Sequence, residues 1–549
     1  MHGSAPEGSG PAVVTGTRWW IPWIGAALLA LGSLASVWWA TDTGVNDGLL
    51  LNGDETVAVL IPDSFARSAP DVIFPGNAYQ GLLEVPAYAA IQALGGGMLA
   101  MRLLHQAIWL GALVAWSAAT WTVLAAHRGP IDRGTKGWVL FAVLGLTGVT
   151  SMIGWQVWYH VYPGYQVGAL LAGLAVLVAA HAAGDEHASA VRWAVAGVLA
   201  GLAVYAQPMH VAGVACVVAL ALTVHQRVRT AVVVGAGVLV GATPWLAWVV
   251  LNGVSLLDER TRPVQHPEWG YPERLANSAR VTAQVVWGDG RVRVDVPGWV
   301  LATQIAVAVV TAGLVLAGLV VLARSWRRSA ALLVGVAVWC FGLPVLSTFS
   351  LDVDQRYAVA WWPALAVLVA AGTLGGVATS RSTGPLGWSV ATRGLLVVAV
   401  VGHVSGVVAL AVPAIERRSG RPDAVELTDD LGEDLDRCGV DIVAGDYWAV
   451  YPAEWGADAE FDVTVVGSMQ RLSGLGPRTW AGDLTVAVLG GLDDRSATSF
   501  AATVTARHGR GRAGWVALEH RPTGVEVLVE ADRTLPEGCT GPSGLTPIP

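Results

Sequence analysis

Long apolar runs separated by short polar stretches form the dominant pattern of this chain. A transmembrane helix needs about 20 apolar residues, and most of these runs approach or exceed that length. They cover residues 19–40, 99–126, 137–154, 166–182, 191–206, 209–224, 230–251, 299–323, 330–348, 357–378 and 394–412. The pattern predicts an all-α polytopic membrane protein with about eleven transmembrane helices.

The segments that flank these runs differ in character. Residues 1–18 are rich in Gly, Ser, Pro and Ala, which predicts a disordered tail before a membrane domain at 19–412. Residues 413–549 intersperse charges with short Val-rich runs, which predicts a small C-terminal α/β domain. Its expected strands lie at 441–444, 462–467, 485–489 and 525–529. Within the membrane domain, the long loop 41–98 contains an amphipathic stretch at residues 81–95. This stretch is too short to span the membrane and predicts a helix that lies in the membrane interface.

The basic residues occur in alternate loops. With a cytoplasmic N-terminus the inner loops hold Arg128, Arg133, Lys136, Arg192, Arg227, Arg229, Arg324, Arg327, Arg328, Arg381 and Arg393. The short outer loops 155–165 and 207–209 hold no Lys or Arg. This positive-inside pattern predicts a multi-pass plasma-membrane protein whose C-terminal domain is extracytoplasmic. The outer loop 252–298 holds six Arg, but long loops contribute little to this rule. We therefore expect loop 252–298, together with loop 41–98, to carry the functional site.

Composition narrows the class of protein further. Only 13% of residues are charged and 54% are hydrophobic, which excludes a soluble multi-domain enzyme. The formal net charge of −8 argues against nucleic acid as a partner. Cys438 and Cys539 both fall in the oxidising outer domain and are predicted to form a disulfide, although two free thiols are the alternative. Cys216 and Cys340 fall within predicted spans, where a thiol packs as a small apolar group.

Acidic side chains concentrate in the predicted outer loops. Asp54 and Glu55 follow soon after the first span, and Glu84 lies later in the same loop. A carboxylate at the membrane surface can act as a general base towards an acceptor hydroxyl. It can also hold a divalent cation such as Mg²⁺ or Mn²⁺ against a lipid phosphate. The simpler alternative is that Asp54 and Glu55 only solvate the loop.

Several sequence landmarks occur in order along residues 19–412. After the Asp54–Glu55 pair comes YQGLLE at 79–84, then GLAVYAQP at 201–208, GATPW at 241–245, and Arg356-Tyr357 before Pro363. Their order and spacing resemble the membrane glycosyltransferases of the GT-C fold. The closest likeness is to the branch with bacterial aminoarabinose transferases, protein O-mannosyltransferases and Rgt-type sugar transferases. Residues 79–84 resemble the Tyr-Gly-Gly-x-x-Glu element of that branch but have Gln80 in place of the first Gly.

The resemblance implies transfer of a sugar from a polyprenyl-phosphate carrier to a glycan, lipid or protein acceptor of the cell envelope. It implies Asp54 as the general base, with Glu55 sharing that role or supporting the acceptor. Glu84 would position the sugar or the loop. Arg356 would face the donor phosphate, because a guanidinium fork suits a leaving group that gains charge. The alternative for Arg356 is an end-of-helix Arg that snorkels to the interface.

Aromatic residues complete the candidate site. Tyr79 and Tyr357 lie within the landmarks and are candidates for substrate binding. The outer loop 155–163 is rich in Trp and Tyr and contains His160, which can donate a hydrogen bond to a sugar. Aromatic residues also gather at any membrane interface, which is the alternative explanation for this loop.

Two other classes of function stay open at this stage. A transporter or flippase for a lipid-linked sugar would carry polar groups inside the bundle and often an inverted repeat, and the sequence indicates neither. A non-catalytic partner subunit, whose outer domain does the binding, is the third possibility.

Overall fold

The computed structural model describes most of the two predicted domains. The described residues are 19–42, 51, 53–67, 73, 81–149, 161–185, 187–253, 269–287, 298–325, 327–342, 361–378, 387–418, 424–457, 461–466, 484–490, 496–508, 515–530, 535, 539–540 and 544–548.

Helices dominate the chain before residue 419. They are α1 (Ile21–Asp42), α2 (Gly53–Arg67), α3 (Val85–Ala93), α4 (Met98–Arg128), α5 (Arg133–Val143), α6 (Tyr165–Gly184), α7 (Ala190–Ala206), α8 (Val211–Ala221), α9 (Arg227–Leu251), α10 (Tyr271–Trp287), α11 (Gly298–Arg324), α12 (Ser329–Ala337), α13 (Trp362–Ala378) and α14 (Gly387–Arg418). Short π-helical turns, Leu144–Gly148 and Val338–Gly342, continue α5 and α12, and a 3₁₀ turn, Pro208–His210, precedes α8.

The described part of each predicted apolar run lies largely in one of these helices or in the π-helical turn that continues it. Within the described residues, six helices are long and apolar enough to cross a membrane: Ile21–Thr41, Met98–Ala126, Tyr165–Gly184, Arg227–Leu251, Gly298–Arg324 and Val390–Ala409. Four shorter apolar helices accompany them: Ala190–Ala206, Pro208–Ala221, Ser329–Gly342 and Trp362–Val377. The all-α membrane fold is confirmed, whereas the number of eleven crossings stays a prediction.

Small residues bring neighbouring helices of the bundle together. α7 and α9 each carry two glycines four residues apart, and these glycines face each other. A Cβ on Gly201 would lie 2.2 Å from the Val238 carbonyl oxygen, and one on Gly241 would lie 2.2 Å from that of Val198. Any larger side chain at Gly201 or Gly241 would force the helices apart. Close backbone approach of this kind is how helices associate in lipid, where there is no hydrophobic drive between them.

The chain after residue 423 forms the predicted α/β domain. Its elements are α15 (Ala424–Arg437), β1 (Ile442–Gly445), α16 (Tyr447–Trp455), β2 (Asp462–Val465), β3 (Val486–Leu489), α17 (Ala497–His508), β4 (Trp515–His520), β5 (Val525–Glu530) and β6 (Leu545–Pro547). The six-stranded sheet has the order β2-β1-β3-β5-β4-β6. β1 pairs in parallel with β2 and β3, while β5 and β4 continue the sheet antiparallel. All four predicted strands are present, and β4 and β6 are additional.

The C-terminal domain and the first loop of the membrane domain share one hydrophobic core. The buried α2 side chains at Val57–Ile61 pack in the same cluster as α3 and the C-terminal residues Leu431, Tyr451 and Phe461. α16 lies directly against α2. The domain therefore packs on the first loop through apolar contacts, in addition to its chain connection through α14.

A disulfide joins Cys438, which follows α15, to Cys539 in the structure, and the two cysteines are 101 positions apart in the sequence. Cross-linking a loop of this length restricts the unfolded chain, so we expect its removal to cost the C-terminal domain about 4 kcal/mol in free energy of unfolding. Peptide mapping of the denatured protein without reductant checks the bond, with Cys216 and Cys340 as internal controls because both are free thiols. Alkylation of Cys438 and Cys539 to the same extent as these controls would contradict the bond.

Candidate functional site

The predicted loop 41–98 contains a helix that carries both candidate acids. α2 begins at Gly53, so Asp54 and Glu55 lie in its first turn, where negative charge is favoured by the helix dipole. Val57, Val59 and Ile61 are fully buried and hold the helix in the core shared with the C-terminal domain. The side chain of Asp54 lies outside the described residues.

Glu55 forms a buried ion pair with Arg102 of α4. Arg102 donates from Nε to Oε1 at 2.9 Å and from a terminal nitrogen to Oε2 at 2.7 Å, and both side chains are 0% exposed. The other terminal nitrogen of Arg102 donates to the Thr41 hydroxyl at 3.3 Å, and Val161 N–H donates to Glu55 Oε1 at 2.9 Å. The two-point guanidinium contact fixes the orientation of the carboxylate and connects α1, α2, α4 and the segment before α6.

Arg102 belongs to a polar face at the start of α4 that our sequence reasoning missed. His105 and Gln106 follow it at helical spacings of three and four residues, so the three side chains share one side of the helix. Tyr88 of α3 hydrogen bonds through its hydroxyl to His105 Nε2 at 2.5 Å, and Gln106 donates to the Ser33 hydroxyl at 2.5 Å. All of these side chains are buried or nearly so. The spacing Arg-x-x-His-Gln places these side chains on one helix face, but it lies at the edge of an apolar run, where polar residues are ordinary.

Glu84 is the second predicted acid that is buried. It precedes α3 and accepts a hydrogen bond from Gly164 N–H at 2.7 Å through Oε1. No described group hydrogen bonds its other carboxylate oxygen. Burial raises the pKa of Glu84 to about 7, and the hydrogen bond from Gly164, which favours the ionised form, offsets only part of this effect.

Two of the predicted acids therefore hold the same short segment. Glu55 binds Val161 N–H and Glu84 binds Gly164 N–H, so both anchor the four residues that follow His160. Gly164 adopts the left-handed region with φ +86°, a conformation in which glycine has no steric penalty, and α6 begins at the next residue. The first loop thus meets the described end of the predicted outer loop 155–163, residues 161–163, as the candidate site requires.

Two sequence landmarks also meet in the structure. Gly81 N–H donates to the Ala206 carbonyl oxygen at 3.0 Å, and Leu82 N–H donates to the Tyr205 hydroxyl at 3.4 Å. A Cβ on Gly81 would lie 2.6 Å from the Tyr205 carbonyl oxygen, so the glycine permits this close approach. The described end of the 79–84 landmark, from Gly81 on, therefore packs on the end of the 201–208 landmark at Tyr205 and Ala206.

The remaining candidates lie outside the described residues. They are Tyr79, His160, Arg356 and Tyr357, and their roles stay predictions. Among the described residues no cluster of His, Cys, Asp or Glu side chains has the arrangement of a metal site. A divalent cation, Mg²⁺ or Mn²⁺, likewise stays a prediction.

The raised pKa of Glu84 predicts a pH-dependent stability. The folded protein keeps the proton on Glu84 up to about pH 7, whereas an unfolded chain releases it near its ordinary value of 4.5. The folded state thus binds more protons between these values, and its stability falls as pH rises through this window. Glutamine does not titrate, so we expect Glu84→Gln to remove this pH dependence. The melting temperature of the variant, relative to that of the wild type, should therefore rise from pH 5 to pH 8.

The matched control for this measurement is Glu273→Gln, at an exposed position in the first turn of α10. Its melting temperature should follow the wild type across the same pH range. A difference between Glu84→Gln and wild type that stays constant from pH 5 to pH 8 would contradict the assignment.

Solved structures of one protein share this architecture. ArnT from Cupriavidus metallidurans in the apo state superimposes with a TM-score of 0.52 at 14% sequence identity, covering 94% of this chain and 99% of ArnT. ArnT bound to undecaprenyl phosphate gives a TM-score of 0.50 at 13% identity with the same coverage. No protein-family model and no curated protein matches the sequence. The similarity extends over both domains, and the fold expected from the ordered landmarks is confirmed: the chain is a multi-pass membrane protein with the GT-C fold of ArnT.

Proposed function

We propose that this chain is a glycosyltransferase that moves a sugar from a polyprenyl-phosphate carrier to an acceptor on the outer face of the cytoplasmic membrane. The observation that carries the proposal is the fold shared along 94% of the chain with ArnT, which has been solved with undecaprenyl phosphate bound. The convergence of the acid-bearing first loop on the segment after His160 supports it, because the candidate groups come from these two loops.

The proposed reaction uses Asp54 as the general base. Its carboxylate takes the proton of the acceptor hydroxyl while that oxygen forms a bond to the anomeric carbon of the sugar. The bond from the anomeric carbon to the phosphate oxygen breaks, and the polyprenyl phosphate leaves with the electron pair. Arg356 faces this phosphate and stabilises its developing charge, and Tyr79, His160 and Tyr357 contact the substrates.

Glu55 and Glu84 take supporting roles in this proposal. Both carboxylate oxygens of Glu55 are engaged by Arg102, and one also accepts from Val161. This engagement favours a positioning role for Glu55 over the two roles that the resemblance implied, sharing the base function or supporting the acceptor. Glu84 positions the segment that follows His160 through Gly164, and its second oxygen is buried with no hydrogen-bond partner among the described residues.

A strain that lacks this chain tests the proposal against its closest rival, a flippase for the lipid-linked sugar. Loss of a transferase stops sugar addition to the envelope acceptor, and permeabilised membranes supplied with labelled polyprenyl-phosphate sugar stay inactive. Loss of a flippase also stops sugar addition in intact cells, but permeabilisation lets the donor reach both faces and restores transfer. Restored transfer in the permeabilised deletion membranes would overturn the proposal, whereas recovery only with the wild-type chain supports it.

A further inference from the structure

The helix that carries the candidate base is held at its far end by the C-terminal domain. Arg67, in the last turn of α2, donates to Glu454 Oε1 at 3.2 Å and to the Phe461 carbonyl oxygen at 3.1 Å. Glu454 also accepts from Phe461 N–H at 2.9 Å through Oε2. Glu454 is 4% exposed at its side chain and Arg67 is 17% exposed, so this contact is largely shielded from solvent.

A second contact reaches the chain just before α2. Leu51 N–H donates to the hydroxyl of Thr428 on α15 at 3.0 Å, and Leu51 is buried in the shared core. The C-terminal domain thus contacts the chain before α2 through Thr428 and the end of α2 through Glu454. Between these points α16 packs along the helix.

The sequence of α2 makes these contacts necessary for its order. Pro62 lies inside the helix. Proline has no backbone N–H to donate, and its ring clashes with the carbonyl group of the residue four positions earlier. Each half of α2 is therefore shorter than the roughly 12–15 residues at which an isolated helix becomes even marginally stable. The ion pair between Glu55 and Arg102 holds the first half of α2. The ion pair between Arg67 and Glu454 of the C-terminal domain holds the second half.

We propose that the C-terminal domain orders α2 through Arg67 and Glu454, which makes these two side chains positioning residues for the reaction. The reactive end of the helix depends on both halves staying docked, because a catalytic group displaced by about 1 Å can lose on the order of 100-fold in rate. The catalytic part of this inference rests on the proposed function, whereas the ordering of α2 does not.

Hydrogen exchange of the full-length protein tests the ordering directly. Arg67→Gln keeps a polar side chain but loses the charge and the guanidinium fork, and we expect faster amide exchange in peptides from residues 53–61. Arg192→Gln is the matched control, since Arg192 pairs with Asp185 at an exposed site on the opposite predicted side of the membrane. Unchanged exchange at residues 53–61 in Arg67→Gln, together with faster exchange confined to residues 62–67, would overturn the proposal.

Transfer kinetics test the positioning role in the same variants. We expect Arg67→Gln and Glu454→Gln to lower kcat by roughly 10- to 100-fold with little change in the KM for the donor, and Arg67→Lys to recover part of the loss. A purely structural contact would lower the melting temperature but leave kcat of the folded fraction unchanged, which would overturn the positioning role. If the wild type transfers no sugar at all, the proposed function fails while hydrogen exchange still decides whether the domain orders α2.

Discussion

Arg102→Ala is expected to destabilise the protein by about 3–5 kcal/mol, because it leaves the Glu55 carboxylate buried without its partner. Both side chains are completely shielded from solvent, and Glu55 would keep the hydrogen bond from Val161 N–H but lose the positive charge beside it. The change should appear as a lower unfolding midpoint of the detergent-solubilised protein and as poor accumulation in membranes.

Two variants make this expectation specific to the buried charge. Arg192→Ala removes an equally short but exposed ion pair, with Asp185 at 2.8 Å, and should cost about 1 kcal/mol or less. Adding Glu55→Gln to Arg102→Ala removes the uncompensated charge, so the double variant should be more stable than Arg102→Ala alone. Equal losses of stability in Arg102→Ala and Arg192→Ala would show that the buried Glu55–Arg102 pair contributes no more than an exposed ion pair.

Asp54→Asn is expected to lower the rate of sugar transfer by about 10²–10⁴-fold, the contribution typical of a general base. The amide keeps the size of the side chain but cannot accept the acceptor's proton, so substrate binding should change little. The measurement is the initial rate of label transfer from a polyprenyl-phosphate sugar, per amount of folded protein.

Asp63→Asn is the matched control, because it is the same substitution in the same helix. Its transfer rate should stay within a small factor of the wild-type rate. Full activity of well-folded Asp54→Asn would remove Asp54 from the mechanism, and equal loss in the two variants would point to a general effect of charge on α2.

The membrane helices were predictable because each is a long apolar run. In lipid such a run must satisfy its own backbone hydrogen bonds, and a helix does so within one segment. α2 was not predicted. Its apolar residues, Val57–Ile61, form a short stretch between an acidic turn and Pro62, and they are stabilised as a helix by packing on the C-terminal domain. Helix α10, inside the long loop 252–298, was likewise missed, since polar side chains interrupt its apolar residues and no long apolar run marks it.

The same reasoning explains which parts of the sheet were predicted. Strands β1, β3 and β5 are almost entirely buried and read as Val-rich runs. Strand β4 contains Glu519 and His520 and is only partly buried, and β6 has three residues at the sheet edge. Strand β4 has apolar residues but neither the strict alternation nor the Val-rich composition of the predicted strands, and β6 is too short to show a pattern.

The candidate acids were recognised as residue types, but their partners were not. Glu55 and Arg102 are 47 residues apart, and Arg67 and Glu454 are 387 residues apart. A single sequence carries no pattern that joins positions so distant, since helical or strand periodicity acts over a few residues. Arg102 in particular lies at the edge of an apolar run, where a basic residue is ordinary and carries no signal of a buried partner.

Sugar transfer by the purified protein tests the central claim most directly. The full-length chain is reconstituted in lipid vesicles with a panel of labelled polyprenyl-phosphate sugars and an envelope extract as acceptor. The account predicts release of polyprenyl phosphate matched by label on the acceptor for one donor, with both signals lost in Asp54→Asn. Binding of every donor without release of polyprenyl phosphate, in a protein that is folded and supplied with acceptor, would contradict it.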